Sequence, residues 1–280
     1  MTRWSPPPER HAPRYDADVH VLSYPKAGRT WLRALVGKVL VDHYGLNEER
    51  LLNVYALTQA VGLPVTAFDH DGAAMLNRTR WQDMRTDRSG YRGHRVLLLG
   101  RDIRDNLVSA YFQATLRINV FDGPISDFIR QDEYGVDKVL AFYRIWSANR
   151  NVPTAFEFLT YEDLHRDPAG ALVRVLAFIG LTVPAATIAA AVDYCRFENL
   201  RKAEAEDRFH SDVLRAGRDD HPESFKVRKG KVGNFTEYLS AEDVAYIDAA
   251  AAARGCEFTQ ALAGTRVPEA RALHAGGSSR

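Results

Sequence analysis

The stretch VHVLSYPKAGRTWLRALVGKVLVDHY, from Val19 to Tyr44, reads as a strand, a turn and a helix in direct succession. Val19 to Tyr24 is β-rich and runs into Pro25 and Gly28, residue types that end strands and open tight loops. Trp31, Leu32, Leu35, Val36, Val39, Leu40 and Tyr44 then recur at helical spacing, which predicts a helix from Arg29 to Tyr44 with one wide apolar face. Ser23 to Thr30 lies between the two elements, where backbone N–H groups and the helix dipole make an anion site. On the local pattern alone, a plain strand-to-helix turn with incidental charges fits equally well.

Outward from this unit the alternation continues. Val65 to Phe68 reads as a short strand, ending at Asp69, His70, Asp71 and Gly72. Arg95 to Gly100 is a continuous apolar run, the pattern of a strand buried on both faces. Asp102 to Leu116 returns to helical period, with Ile103, Leu107, Ala110 and Tyr111 on one side. A helix is predicted over Tyr134 to Asn149, a strand over Ala155 to Thr160, and a helix over Ala169 to Ile179 closed by Gly180. Strands alternating with helices predict a single α/β domain, a central, mostly parallel sheet flanked by helices on both faces. Its ligands would sit beyond the carboxyl ends of the strands. Glu206 to Asn234 is charged and aperiodic and reads as a long loop, of the length that is either functional or disordered.

Composition sets the outer limits. With 280 residues, 46% of them hydrophobic, residues 16–263 can bury a sizeable core, whereas the Pro-rich 1–15 and the tail 264–280 offer little to bury and are expected to be disordered. A formal charge of +1 gives no global field toward nucleic acid or an anionic membrane, so any anion site must be local. Met1 to Arg14 carries charges and three consecutive prolines where a secretory signal needs an apolar stretch, and no apolar run reaches membrane-spanning length. Cys195 and Cys256 match no metal or redox spacing. A cytoplasmic protein is the expectation.

Three segments carry chemistry. Ser23 to Thr30 resembles a Walker A loop, G-x4-G-K-[ST], broken at the first glycine by Ser23 and at the lysine by Arg29, with Lys26 inside the loop. A phosphate still fits there, but ordinary ATP chemistry fits less well. Arg101 is followed eight residues on by Ser109, about two helical turns away, so that both side chains can reach one anion. A surface helix with arginines and an acidic start has the same pattern. Arg228, Lys229, Gly230, Lys231, Val232 and Gly233 form a basic, glycine-punctuated run that either closes over a phosphate or is simply solvated.

Taken in this order, the segments resemble the sulfotransferase family that uses 3′-phosphoadenosine 5′-phosphosulfate (PAPS) as donor. The family's Y-P-K-x-G-x-T-W-L stands here as Tyr24 to Leu32, departing mainly at Arg29, where the cytosolic enzymes usually have threonine. Its arginine with a serine eight positions later and a tyrosine beyond stands as Arg101, Ser109 and Tyr111, and its R-K-G-x-x-G as Arg228 to Gly233. Tyr161, Glu162, Asp163 and Leu164, with Asp167 and Pro168 after them, are similar to its Y-E-D-L…D-P segment. The likeness runs from Val19 to Leu239.

This resemblance implies a P-loop-like nucleotide-binding core and an in-line transfer of a sulfuryl group from PAPS to a hydroxyl, or to an amine. The product 3′-phosphoadenosine 5′-phosphate (PAP) would then be released, with no metal expected. It places Lys26, Ala27, Gly28, Arg29, Thr30 and Trp31 around the 5′-phosphosulfate, with Lys26 also stabilising the leaving oxygen. Arg101, Ser109, Arg228, Lys229 and Gly230 would hold the 3′-phosphate, and Tyr161 and Phe197 the adenine. His70 is the counterpart of the family's base, although the lysine and proline of K-x-H-x-P are missing around it. A histidine suits that task because its pKa lies near neutrality. Two alternatives stand beside this reading: a P-loop kinase with Asp102 as its Walker B carboxylate, and a non-catalytic module that senses PAP. The acceptor has no signature in residues 46–63, 72–94 or 117–135. Arg78, Arg80, Arg85, Arg88, Arg92 and Arg95 read either as a solvated basic face or as an attractor of an acidic acceptor. The cytosolic enzymes' dimer motif is not recognisable in Thr236 to Ile247, which leaves the oligomeric state open.

Overall fold

A computed structural model describes residues 16–211, 213–214, 222–228 and 230–263. Its order is β1 (Val19–Ser23), α1 (Arg29–Tyr44), α2 (Val54–Ala60), β2 (Thr66–Asp69), β3 (Arg95–Gly100), α3 (Ile103–Phe112), α4 (Ile125–Phe128), α5 (Val136–Asn149) and β4 (Ala155–Thr160). Then follow α6 (Tyr161–Arg166), α7 (Pro168–Ile179), α8 (Ala185–Tyr194), α9 (Phe197–Ala205), α10 (Ala241–Arg254) and α11 (Glu257–Leu262). All three strand pairings are parallel, in the order β2-β1-β3-β4.

Alternate strand residues feed two cores, as the period of two requires. Val19, Val21, Leu97 and Leu99 pack with α1, α7 and α8, whereas Leu22, Val96 and Leu98 face α3, α5, α10 and α11. The expected α/β architecture is therefore present, with apolar layers on both sides of the sheet. The alternation of strands and helices predicts a cleft at the carboxyl ends of the strands, and the strand order turns at β1 to open it there.

Several boundaries differ from the sequence expectation, each for a local reason. The strand after α2 lies one residue later than expected, at Thr66–Asp69, in register with β1. The helix expected over Asp102 to Leu116 is α3 only to Phe112, after which Gln113–Arg117 widens into a π turn. Asp102 is the N-cap of α3, accepting from the N–H groups of Arg104 and Asp105. Beyond it, the Thr115 hydroxyl donates to the Tyr111 carbonyl at 2.9 Å. Gly135, in extended backbone, delays the start of α5 to Val136. The helix closed by Gly180 is found as predicted, with Gly180 in the left-handed region at φ 87°. The expected disordered ends, 1–15 and 264–280, lie outside the described residues. Among the described residues no helix is long and apolar enough to cross a membrane.

Candidate active site

Each strand delivers one candidate residue just past its carboxyl end. Lys26 follows β1, His70 follows β2, Arg101 follows β3 and Tyr161 follows β4. A cavity of about 530 Å³ opens among them, lined also by Gly28, Arg29, Thr30, Trp31, Ser109, Phe197, Arg228 and Gly230. Ala27 does not line it, because its side chain is fully buried beneath the loop. Lys229 lies outside the described residues.

The loop after β1 bends into an anion cradle by alternating its backbone hand. Lys26 has φ 72° and Gly28 φ 94°, both left-handed, a conformation costing a non-glycine residue about 1–2 kcal/mol. Gly28 has a second reason to lack a side chain: a Cβ there would lie 2.5 Å from the Tyr161 ring. The other strand ends support the loop from below. Arg101 Nη1 donates to the Lys26 carbonyl at 3.1 Å while its guanidinium sits 4.4 Å over the Tyr161 ring. The Asn106 amide donates to the Pro25 carbonyl at 3.1 Å. Trp31 meets Tyr161 edge to face at 5.8 Å, and its indole N–H donates to the Cys195 carbonyl at 3.1 Å. Phe197 lies so close to Gly230 that a Cβ there would come within 2.3 Å of its ring. Three aromatic rings thus wall one end of the cavity.

Cations crowd the same cavity. Burial, and then the charges of Arg117 and Lys226, push the Lys26 ammonium well below its ordinary pKa, and its Nζ donates to Gln113 Oε1 at 3.3 Å. Burial beside Arg117, Arg29 and Arg33 lowers Lys226 to about 7. Burial next to Arg33 lowers Arg29 to about 9. Among the described residues, Arg29 Nη1, Arg101 Nε and Arg228 Nε are buried without a hydrogen-bond partner. Such a crowd of underpaired donors is costly in isolation and favourable around a polyanion.

His70 sits in the same place. Its Nδ1 is 2.9 Å from the Ser23 carbonyl oxygen and its Nε2 is 2.7 Å from Arg29 Nη2. A carbonyl only accepts, so Nδ1 carries the hydrogen and Nε2 offers its lone pair. Burial and the Arg29 charge hold its pKa well below 6.5, which keeps the ring neutral.

Sequence reading missed the groups that position these side chains. Asp71, next to the base and left-handed at φ 47°, accepts from Arg88 Nε at 2.5 Å, from the Tyr91 hydroxyl at 2.8 Å and from Trp146 Nε1 at 2.9 Å. The arginines of residues 78–95 are therefore not one basic face. Arg88 is buried on Asp71, Arg80 pairs with Asp132, Arg85 pairs with Asp87, and Arg95 donates to the Phe178 carbonyl.

The segment around Arg228 is held by two fully buried carboxylates. Glu204 accepts from the Lys226 and Val227 N–H groups at 2.6 and 2.9 Å and pairs with Arg117 at 3.3 Å. Asp105 accepts from the Gly233 and Phe235 N–H groups at 2.6 and 2.9 Å. The Asn234 amide, oriented by its partners, accepts from Arg228 Nη2 at 3.0 Å and donates to Asp105 at 2.8 Å. Arg228 itself pairs with Glu223 at 2.7 Å and lies 4.8 Å over the Phe112 ring. Asp102, the kinase candidate, is taken up by its capping bonds and by Arg104 at 2.7 Å, and it does not line the cavity. Among the described residues no group of three His, Cys, Asp or Glu side chains is placed to share a metal ion.

Fold and cleft together define an α/β protein whose strand ends open on a cavity lined by several cations and a neutral histidine. The sulfotransferase domain family matches residues 16–265, and the chain belongs to that family. Cytosolic sulfotransferase 17 of Arabidopsis thaliana is 27% identical over 259 residues, covering 82% of this chain and 72% of that protein. Flavonol 3-sulfotransferase of Flaveria bidentis is 23% identical, covering 82% and 79%. Among solved structures, a mouse sulfotransferase complexed with PAP superposes with a TM-score of 0.62 at 17% identity, over 91% of each chain. A retinol dehydratase in complex with androsterone and PAP gives 0.57 at 20% identity, over 85% of this chain and 80% of that one. As a member of this family the chain is a PAPS-dependent sulfotransferase, transferring a sulfuryl group from PAPS and releasing PAP.

Proposed function

We propose that the cleft at the strand ends binds PAPS with its sulfuryl group toward His70, and that the acceptor is a hydroxyl compound. The observation that supports this most is the convergence of buried cations from β1, β3 and the Arg228 segment on one cavity that also holds a neutral histidine.

In this reading the loop N–H groups, Lys26, Arg29, Thr30 and Trp31 hold the 5′-phosphosulfate. Arg101, Ser109, Arg228 and Gly230 take the 3′-phosphate, with Lys229 assigned by its motif alone. Tyr161, Trp31 and Phe197 frame the adenine. His70 Nε2 takes the proton as the acceptor oxygen bonds to sulfur. The bond from sulfur to the 5′-phosphate oxygen breaks as the new one forms, and Lys26 stabilises the charge left on that oxygen. Relatives named for flavonol sulfation favour a hydroxyl over an amine as the acceptor. Three plant relatives are named cytosolic, and both cysteines are free thiols, in keeping with a reducing cytoplasm.

The test is transfer itself. Incubation with PAPS and a panel of phenols, alcohols and amines, read by mass spectrometry, should yield an added sulfuryl group on hydroxyl compounds and an equal amount of PAP. Transfer to amines alone would overturn the acceptor class. Tight, magnesium-dependent ATP binding with phosphoryl transfer would favour the kinase reading.

A further inference from the structure

Arg29 opens α1 at the mouth of the anion loop, and its guanidinium faces two ways. Nη2 donates to His70 Nε2 at 2.7 Å, while Nη1 is buried without a hydrogen-bond partner among the described residues. The Ser23 carbonyl fixes the hydrogen on Nδ1, so Nε2 is the only ring nitrogen able to accept a proton. Arg29 thus holds the very lone pair that the reaction needs. Charges close to the pair are the cations Arg33 and Lys226, together with the carboxylate Asp69 near Arg29. A guanidinium bond to a neutral imidazole is charged on one side only, whereas a bond to a phosphate oxygen joins opposite charges and adds their direct Coulomb attraction.

We propose that Arg29 is a donor-operated latch on the base. It occupies His70 Nε2 until the 5′-phosphate end of the donor draws the guanidinium away, which frees Nε2 for the acceptor hydroxyl. The inference rests on the reading of His70 as the base, and Arg29 is a positioning residue in it. Its consequence is an order of events: acceptor deprotonation is available only after the donor is seated. The trigger is the 5′ anion, not the adenine or the 3′-phosphate.

The test follows the His70 ring by 15N NMR of histidine-labelled protein, with His70→Gln to assign the resonance. Saturating 3′-AMP, which lacks the 5′ anion, should leave Nε2 at the position of a hydrogen-bonded acceptor nitrogen. PAP, which carries the 5′-phosphate, should shift it to the position of an unbonded one. In Arg29→Thr the unbonded position should be present from the start, and PAP should shift it little. An Nε2 that PAP leaves in place, or that 3′-AMP shifts as far as PAP does, would overturn the latch. Turnover of His70→Gln separates the two readings: wild-type turnover removes the base assignment whatever the spectra show, whereas lost turnover with an unmoved Nε2 removes only the latch.

Discussion

The two groups of residues proposed to hold the donor's two anionic ends are built in different ways. The residues proposed for the sulfuryl end, Lys26, Gly28, Arg29, Thr30 and Trp31, come from one short run across the β1–α1 loop and the start of α1, with Lys26 and Gly28 left-handed. Those proposed for the 3′-phosphate end are Arg101 just past β3, Ser109 on α3, and Arg228 on a segment tied down by Asp105 and Glu204, all three lining the same cavity. The Gly233–Asp105 bond alone spans 128 residues. Only His70, which follows β2, joins the first group from outside that run. The second group depends on distant anchors.

Changes at the first end should therefore strike turnover, and changes at the second should strike binding. The largest expected effect is that of His70→Gln, a fall in kcat on the order of 10²–10⁴-fold with PAP affinity nearly unchanged, measured by single-turnover kinetics and calorimetry. Lys26→Ala comes next. The chemical step should slow by roughly 10²–10³-fold, more than PAP binding weakens, because charge on the leaving oxygen peaks in the transition state. Equal losses would reduce Lys26 to a binding residue.

At the second end, Asp105→Asn removes the negative charge that accepts the Gly233 and Phe235 N–H groups. Bonds to a charged group contribute about 1.5–3 kcal/mol each, so PAP affinity should fall by roughly tenfold or more while kcat at saturating PAPS stays close to wild type. A fall in kcat without a change in affinity would blur the contrast between the two ends.

The smallest effect concerns pH. Because burial and Arg29 lower the His70 pKa in the ligand-free protein, the ring stays neutral into acid, and its 15N titration without ligand should have its midpoint below pH 6.5. A midpoint at or above 6.5 would contradict the environment described for His70.

This contrast also explains what the sequence could reveal. β1, its loop, α1, β3, β4 and α7 were legible because strand runs, helical periods and the closing Gly180 are local signals. The helices α8 to α11 were not read. Ser240 followed by Asp243 is a capping pattern that marks the start of α10, but alanine-rich α10 has little apolar contrast to confirm it. Asp105 and Glu204 look like ordinary helix-surface acids in sequence, and only the fold brings backbone N–H groups onto them. Arg88 was misread for the same reason, since its partner Asp71 lies 17 residues earlier.

Recognition of the 3′-phosphate is the claim on which the donor assignment turns, and calorimetry with PAP, AMP and ATP tests it most directly. Two or three charge-assisted bonds from Arg101, Ser109 and Arg228 should make PAP bind at least about 100-fold more tightly than AMP, a gap of about 2.7 kcal/mol. That preference should shrink in Arg228→Ala and in Arg101→Ala without a matching loss of AMP affinity. Equal affinity for PAP and AMP in the wild-type protein would contradict the account.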